Sequence, residues 1–477
     1  MAILFEMPPI SAAIPAYCGG SKGGPAPQPA LLNAAAKSSC AVDVAVFSYC
    51  TKITQKPKHG KSPANPGALC SDTPRPLYFT WSFVRRNLNP WLSMNAVIID
   101  AVRTPIGRAH PEKGIYRDVR ADDLSADLMS ALIARVGLPV AEIEDIHWGC
   151  VKQEREQGYD IARMAALIAG LPVEVAGVTV NRNCGSSLQA INQAAQSIAA
   201  GCEDVQIAGG VEHMEHLPME AGFDPSPRYQ YHNSVATMNM GLTAENLAMR
   251  FRIGRKEQDE FALRSHQKAA AATDSGQFSG EVIPTWGRDE EGHKQLMTQD
   301  QCIRRETSLE SLAALKPAFL PDVGTVTAGN SSPINVGSAA VLVMSEKRAS
   351  DLGLKPMARI KAMAVAGVDP SVMGIGPVPA THKVLQRAGL KLDQIDLIEL
   401  NEAFAVQVLA VIRMLKANPE KINVRGGSLA IGHPLGASGA RITTTLLHTM
   451  KAQGAKYGLA TMCIGAGQGI ATIFEAL

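Results

Sequence analysis

The chain has 477 residues, 46% of them apolar and 19% charged, and its 46 basic against 44 acidic side chains leave a formal charge of +2. A balance so near zero gives no electrostatic footprint for nucleic acid or an acidic surface. The length excludes a disulfide-stapled mini-protein and suggests two to three domains, at roughly 150 residues each.

Residues 1–93 stand apart from the rest. They hold 12 of the 29 prolines, four of the nine cysteines and nine basic against three acidic residues. Pro8-Pro9, Gly23-Gly24-Pro25 and Pro63 to Gly67 interrupt any helical or alternating period, which predicts a largely disordered extension. It makes a poor address: Met1 to Phe5 is followed by Glu6 rather than preceded by positive charge, and an Arg-rich amphipathic presequence is missing. The favoured reading is a translated upstream region before a true start at Met94.

From Asn95 short apolar runs alternate with helical spacings. Ala96 to Ile99 reads as a strand, Leu124 to Val136 as a helix through Leu124, Leu128, Leu132 and Ile133, and Ile143 to Trp148 as the next strand. Val178 to Asn181 is a strand and Gly185 begins a helix through Leu188, Ile191, Ala195 and Ile198. Arg255 to Thr273 is a charged helical stretch, while Ala339 to Met344 and Ile395 to Leu400 are strands. The pattern predicts α/β layering. No run of about 18 uncharged apolar residues occurs, so no membrane-spanning segment is predicted.

The chain also repeats itself. Gly137-Leu138 to Ile143 and Ile146 recurs as Gly389-Leu390 to Ile395 and Ile398, and Gly201 to Gly210 lines up with Gly454 to Cys463, at nearly one offset. A duplicated fold is expected. Cys463 lies six residues before Gly469 and its closing strand, whereas Gly210 lies 127 before Gly337. The first copy therefore carries a long insert, at about 211–336, expected to form a lid or binding subdomain.

Chemistry is sought where strands end. Cys184 sits between a strand and a helix, where the helix dipole and nearby backbone N–H groups favour a thiolate. Taken alone, burial as a small hydrophobe is the slightly better reading of it, and Cys150, Cys202 and Cys302 are expected to be buried in that way. Nine cysteines without a C-x-x-C pair fit neither a disulfide framework nor a zinc ribbon and suit a reducing compartment. His433 lies in a glycine-rich turn entering a helix through Ile442, Leu446, Leu447 and Met450. A capping or core imidazole is the alternative there, but Gly426, Gly427, Gly432, Gly436 and Gly439 suggest that backbone approaches a ligand or another chain closely. Cys463-Ile-Gly465-Ala-Gly467-Gln-Gly469 is G-x-G-x-G, not a dinucleotide loop, and only eight residues follow it. Asn401 closes a strand; alone it would be a turn residue.

Together these four sites resemble the thiolase family. The carriers are VNRNCGSSLQA around Cys184, NEAF from Asn401, GGSLAIGHPLGASGAR around His433 and CIGAGQG from Cys463. The resemblance covers residues 94–477. DAVRTPIGR, GGVEHM, MGLTAE, AALKPAFLP and AVAGVDPSVMGIGPVPA look like the degradative bacterial branch, the thiolase subunit of a fatty acid oxidation complex.

The resemblance implies a duplicated α/β thiolase fold, two mixed five-stranded sheets in five layers (αβαβα) with an inserted loop domain. The halves would be 94–354 and 355–477. It implies a 3-ketoacyl-CoA thiolase, an acetyl-CoA C-acyltransferase of β-oxidation, acting on 3-ketoacyl-CoA and CoA with no cofactor beyond CoA as substrate and no metal. Cys184 would be the acyl-thioester nucleophile, His433 the base and Cys463 the second acid/base. Asn401 would hold a water that forms one oxyanion hole with His433, and the N–H groups of Cys184 and Gly465 the other. Ser332 resembles a position near the CoA pantetheine, and Met240 and Met373 positions flanking the acyl pocket, with ordinary packing as the alternative for all three. A homodimeric core in a heterotetramer with a hydratase/dehydrogenase subunit, in the cytoplasm, completes the expectation.

Three departures from the family pattern are visible: Val336 for an aspartate, Asn183 for an apolar residue and Ala437 for a frequent cysteine. The alternatives are a biosynthetic acetoacetyl-CoA thiolase, which shares all four catalytic residues, and a non-catalytic CoA- or lipid-binding relative, which the complete set disfavours. A ketoacyl synthase relative would have two histidines and no counterpart of Cys463. Asn239 stands where the biosynthetic branch commonly has a histidine, which favours the degradative one.

Overall fold

The computed structural model describes residues 95–220 and 222–477; the extension expected over residues 1–93 lies outside the described residues. The first half runs β1 (Ala96–Arg103), β2 (Gly107–Arg108), α1 (Ala121–Val136), β3 (Asp145–Gly149), α2 (Ile161–Ile168), β4 (Val178–Val180), α3 (Ser186–Ala200) and β5 (Val205–His213). Between β5 and its partner strand come α4 (Met240–Phe251), α5 (Arg255–Asp274), the hairpin β6 (Thr285–Arg288) and β7 (Lys294–Met297), and α6 (Leu309–Ala313). Then follow β8 (Asn335–Ser345) and α7 (Glu346–Asp351). The second half is β9 (Ala358–Gly367), α8 (Pro377–Ala388), β10 (Leu397–Leu400), α9 (Ala405–Leu415), α10 (Ser438–Gln453), β11 (Tyr457–Ile464) and β12 (Gln468–Ala476).

The strands lie in the order β4-β3-β5-β8-β1 in the first half and β10-β11-β12-β9 in the second. In each, the parallel strands occupy the far side and the antiparallel pairs the near side. The second half reaches a fifth position only through an isolated parallel bridge between Ile398 and Ile422. An antiparallel contact of β1 with β9, at Val97 to Arg359 and Ile98 to Ala358, joins the two sheets edge to edge. The five strands of the first half and the four of the second are thus linked edge to edge, and β2, paired with β8, completes one ten-stranded sheet.

Burial on both faces explains why the strands read as continuous apolar runs rather than alternations. Along β8, Ala340, Leu342 and Met344 enter the cluster beneath α1 and α2, while Ala339, Val341 and Val343 face the opposite way toward α3 and α10. A register shift in β1 between Ile98 and Asp100 changes its phase, so Ile99 and Val102 meet the first cluster and Ile98 and Ala101 the second. Helices α3 and α10 pack on each other between the sheets, and α8 and α9 cover the outer face of the second sheet.

The duplication is visible in backbone angles. Gly137 ends α1 at φ 71°, ψ 28° and Gly389 ends α8 at φ 68°, ψ 26°; each leads through a short 3₁₀ turn into β3 or β10. Gly201 and Gly454 close α3 and α10 in the same left-handed way before β5 and β11. Only glycine takes that conformation without a steric penalty.

Candidate active site

Cys184 stands in the tight turn that launches α3. Asn183 is left-handed at φ 45°, a conformation that asparagine tolerates better than most side chains, which accounts for its presence in place of an apolar residue. Its carbonyl accepts from the Ser186 hydroxyl at 2.6 Å, and its own N–H is taken up by Asn181 Oδ1 at 2.9 Å. The thiol is half-buried and receives the backbone N–H groups of Gly465 and of Cys184 itself. Burial nonetheless wins: it pushes the thiol up to about 11, with the nearby Glu212 carboxylate adding to the rise. The expectation of a resting thiolate at the helix start is corrected here, because desolvation of the charge exceeds what the helix end supplies.

Cys463, on β11, is buried, and its thiol is raised strongly, first by burial and then by the neighbouring Cys184. Asn401 follows β10, and its N–H donates to Thr461 on β11, placing the asparagine alongside the strand that carries Cys463. The Asn401 side chain meets His433, with Nδ2 3.3 Å from Nε2. The Cys184–Cys463 and Asn401–His433 pairs are thereby brought onto neighbouring elements, with the Gly465 N–H directed at the Cys184 sulfur.

His433 is buried, and burial followed by the charge of Arg441 lowers its imidazole to about 3, so it is neutral. Its backbone N–H donates to Asn335 Oδ1 at 2.8 Å and its Nδ1 lies 2.5 Å from Ser438 Oγ. Asn335, Ser438 and the buried acids Glu212 and Glu402 escaped the sequence reading as functional groups. Glu212 accepts from Val151, Lys152 and Gln157, and also from the Gly436 N–H at 2.8 Å, anchoring the histidine loop. Glu402 accepts from Ser265 on α5, from Asn423 and from the Leu429 N–H. The signal available was their presence inside GGVEHM and NEAF, motifs read only for kinship.

The five glycines around His433 closely approach the protein's own backbone and side chains. A Cβ on Gly436 would lie 2.4 Å from the Val211 carbonyl oxygen, one on Gly439 2.3 Å from Leu188 N, and one on Gly427 2.2 Å from Glu402 Cδ. Gly426 meets Ser265 and Gly432 meets Asn335 equally closely.

The weaker candidates divide. Met240 starts α4, and its sulfur would lie 3.3 Å from a Cβ on Gly465; Met373 is buried in the same apolar cluster as Cys463, Phe404 and Val406. Ser332 is half-buried and its N–H donates to the Ala403 carbonyl, which lays the 330–332 segment along the NEAF turn. Val336 is buried in an apolar cluster on β8, opposite Gly107 and His213. Cys150 is buried as expected, but Cys202 is exposed and Cys302 half-buried: Cys202 follows the Gly201 cap on a turn and Cys302 lies on a loop of the insert.

Glu156, His213 and His216 bring ligand-type atoms within 4.8 Å of one another. Those atoms are already engaged. His213 Nε2 lies 3.1 Å from the Tyr116 carbonyl and its Nδ1 accepts from the His216 N–H, while His216 Nδ1 and Nε2 each lie 2.9 Å from Glu156 Oε1 and the Arg117 carbonyl.

The family models for the thiolase N-terminal and C-terminal domains match residues 96–347 and 354–476. The chain is 53% identical to a 3-ketoacyl-CoA thiolase of Vibrio vulnificus over 385 residues, 80% of this chain and 99% of that one. It is 55% identical to a 3-ketoacyl-CoA thiolase of Yersinia pestis over 387 residues, 80% of this chain and all of that one. Among solved structures, human mitochondrial 3-ketoacyl-CoA thiolase is similar at a TM-score of 0.74 and 39% identity, and the Bacillus anthracis acetyl-CoA acetyltransferase at 0.73 and 40%. Each structural match covers 80% of this chain and 99% of the other.

Proposed function

The chain belongs to the thiolase family, and from that premise we infer that it is a 3-ketoacyl-CoA thiolase, an acyltransferase of fatty acid β-oxidation. It would cleave a 3-ketoacyl-CoA with CoA into acetyl-CoA and a shortened acyl-CoA. One observation carries the assignment of roles: a thiol that receives two backbone N–H groups lies beside a second thiol, while a neutral imidazole is held against Asn401.

In this reading Cys184 gives its proton to His433 Nε2 as its sulfur attacks the ketone carbon. The Cα–C bond then breaks, and the acetyl-CoA enolate takes a proton from Cys463 at its α-carbon. An acyl thioester remains on Cys184. His433 passes its proton on as Cys463 is restored, then deprotonates the CoA thiol that releases the acyl group. The enolate oxygen faces His433 with a water held by Asn401, and the thioester oxygen faces the N–H groups of Cys184 and Gly465. Such donors act in a site that excludes water, where losing one typically costs ~10²-fold or more.

Other features suit the wider reading. A cavity of about 180 Å³ beside Ser331 is lined by Arg108, Arg304, Thr307 and Glu290, and its two guanidiniums would suit the phosphates of CoA. Among the described residues the edge strand β4 pairs only with β3, and Val178, Val173 and Tyr159 near it are exposed, as a homodimer formed by edge pairing would require. Met219, Phe223, Tyr231 and Val235 on the insert are also exposed and would serve docking to a hydratase/dehydrogenase subunit. No helix among the described residues is long and apolar enough to cross a membrane, and the five described cysteines are free, which fits a reducing compartment such as the cytoplasm.

Incubation with a 3-ketoacyl-CoA, followed by peptide mass spectrometry, tests the assignment. An acyl mass is expected on Cys184 and lost in Cys184→Ala; a label on Cys463 would reverse the roles.

A further inference from the structure

Two side chains that take no part in the reaction above decide which end of Asn401 faces His433. Asn401 Oδ1 lies 2.6 Å from Ser428 Oγ, and Ser428 Oγ lies 2.7 Å from Arg441 Nη2. A guanidinium is donor-only and keeps its proton at any working pH. Ser428 therefore accepts from Arg441, and its one hydroxyl proton goes to Asn401 Oδ1. With its oxygen so engaged, Asn401 turns its NH₂ toward His433 Nε2. An NH₂ group can only donate, so that interaction is favourable when Nε2 carries a lone pair.

The far side of the ring has a matching constraint. The Pro434 carbonyl is acceptor-only, and Ser438 Oγ donates to it at 2.7 Å. Ser438 must then accept from its other neighbour, His433 Nδ1, which carries the ring proton. Two polarity chains converge on one imidazole, one ending on a main-chain carbonyl and the other on a guanidinium. Arg441 is itself fully buried on α10, with Nη1 3.9 Å from Glu399 Oε2, while Ser428, Asn401 and His433 are all buried. Bulk water is kept from competing for these bonds.

We propose that Ser428 and Arg441 are positioning residues that hold Asn401 with its NH₂ toward His433 and so keep His433 in the Nδ1–H tautomer, its Nε2 free to take a proton. Without the Ser428 proton, the Asn401 amide gains the freedom to turn over and present Oδ1 to the ring. An oxygen there favours the Nε2–H tautomer, which cannot accept the Cys184 proton. The catalytic consequence rests on the thiolase reading; the tautomer assignment does not.

The test uses the full chain labelled with ¹⁵N-histidine, the His433 signals being assigned by their loss in His433→Asn. Two-bond nitrogen correlations at neutral pH should show Nδ1 protonated in the unmodified chain. Ser428→Ala should populate the Nε2–H form and lower kcat for 3-ketoacyl-CoA cleavage by ~10-fold or more, as expected when a general base is partly disabled, with KM little changed. Ser428→Thr keeps the hydroxyl and should retain most of kcat and the original tautomer, and Arg441→Lys, still donor-only, should lie nearer to it than Arg441→Met. An unchanged tautomer in Ser428→Ala, or an equal kcat loss in Ser428→Thr, overturns the proposal. If the unmodified chain cleaves no 3-ketoacyl-CoA, the functional reading fails, while the tautomer comparison still decides this one.

Discussion

Burial leaves both partners of the proposed first proton transfer neutral before substrate arrives, with the Cys184 thiol at about 11 and the His433 imidazole at about 3. Iodoacetamide should therefore modify Cys184 of the resting enzyme at a rate that climbs about tenfold per pH unit from pH 7 to 10, following the thiolate fraction. A plateau below pH 8 would instead reveal a preformed thiolate–imidazolium pair. In the proposed reaction the two cysteines separate by the step each would serve. Cys463→Ala removes the proton exchanged at the α-carbon but spares the nucleophile, so acylation of Cys184 by a simple acyl-CoA should persist while 3-ketoacyl-CoA cleavage falls by ~10²-fold or more. Equal losses in both reactions would contradict that division. His216 gives a prediction of another kind. Partial burial opposes its charge, but the Glu156 hydrogen bond, the Arg117 carbonyl and Glu215 outweigh that and raise its pKa. Both ring nitrogens face acceptors, which favours the imidazolium form. A raised folded pKa stabilises fully below the unfolded value near 6.5, and that contribution is lost as pH rises through the folded value. The melting-temperature gap between the unmodified chain and His216→Gln should thus be wide at pH 6, reflecting on the order of 2 kcal/mol for charge-assisted bonds, and narrow at pH 9. A gap that does not depend on pH would show the ring to be neutral.

Elements were legible from sequence where periodicity and punctuation agreed. The runs at 96–99 and 178–181, the helix through Leu188 and Ile198, and both glycine-capped repeats all lie on regular structure. The site was legible as motifs at strand and helix ends, because Cys184, Asn401, His433 and Cys463 each occupy such a junction. What escaped depends on contacts between segments distant in sequence. Nothing local in VNRNCG reveals that burial and Glu212 raise the thiol, and nothing in GGSLAIGHPLGASG reveals that its glycines press on α3, α5 and β5. Ser428 and Arg441 read as a small polar residue and a helix cation until the fold places them behind Asn401. The two reasons for glycine can be told apart by experiment. Gly436→Ala drives a methyl into backbone at 2.4 Å and should cost ~3 kcal/mol while displacing the His433 loop, so kcat falls together with the melting temperature. Gly454→Ala meets nothing within 4 Å and suffers only its left-handed φ of 62°, a cost of roughly 1–2 kcal/mol, and should leave kcat intact. Matching kcat losses in the two variants would refute a local role for Gly436.

At the scale of the whole molecule, the curated relatives are matched over 99 to 100% of their length by 80% of this chain, and the family match begins at residue 96. A chain beginning at Met94 should therefore keep the turnover and melting temperature of the full one, and a large loss of either would show that residues 1–93 contribute to the folded body. In the proposed reading the preference for acyl length would be set where the insert meets the second half. A histidine at position 239 would mark the short-chain, biosynthetic pattern; here Asn239 stands, and its Oδ1 is occupied by the Leu242 N–H as the cap of α4. Met240, the next residue, packs with Phe319 against the cluster that holds Met373, Phe404 and Cys463. Methionine side chains adapt to irregular apolar shapes, so this wall can accommodate a longer acyl chain. Burying each added methylene is worth up to ~0.8 kcal/mol, or about fourfold in affinity for the transition state. Catalytic efficiency, measured as kcat/KM over 3-ketoacyl-CoAs from C4 to C16, should rise from C4 toward medium or long chains by no more than that factor per methylene. Strict preference for C4 would mean that Asn239 and the methionines close the pocket as the biosynthetic histidine does.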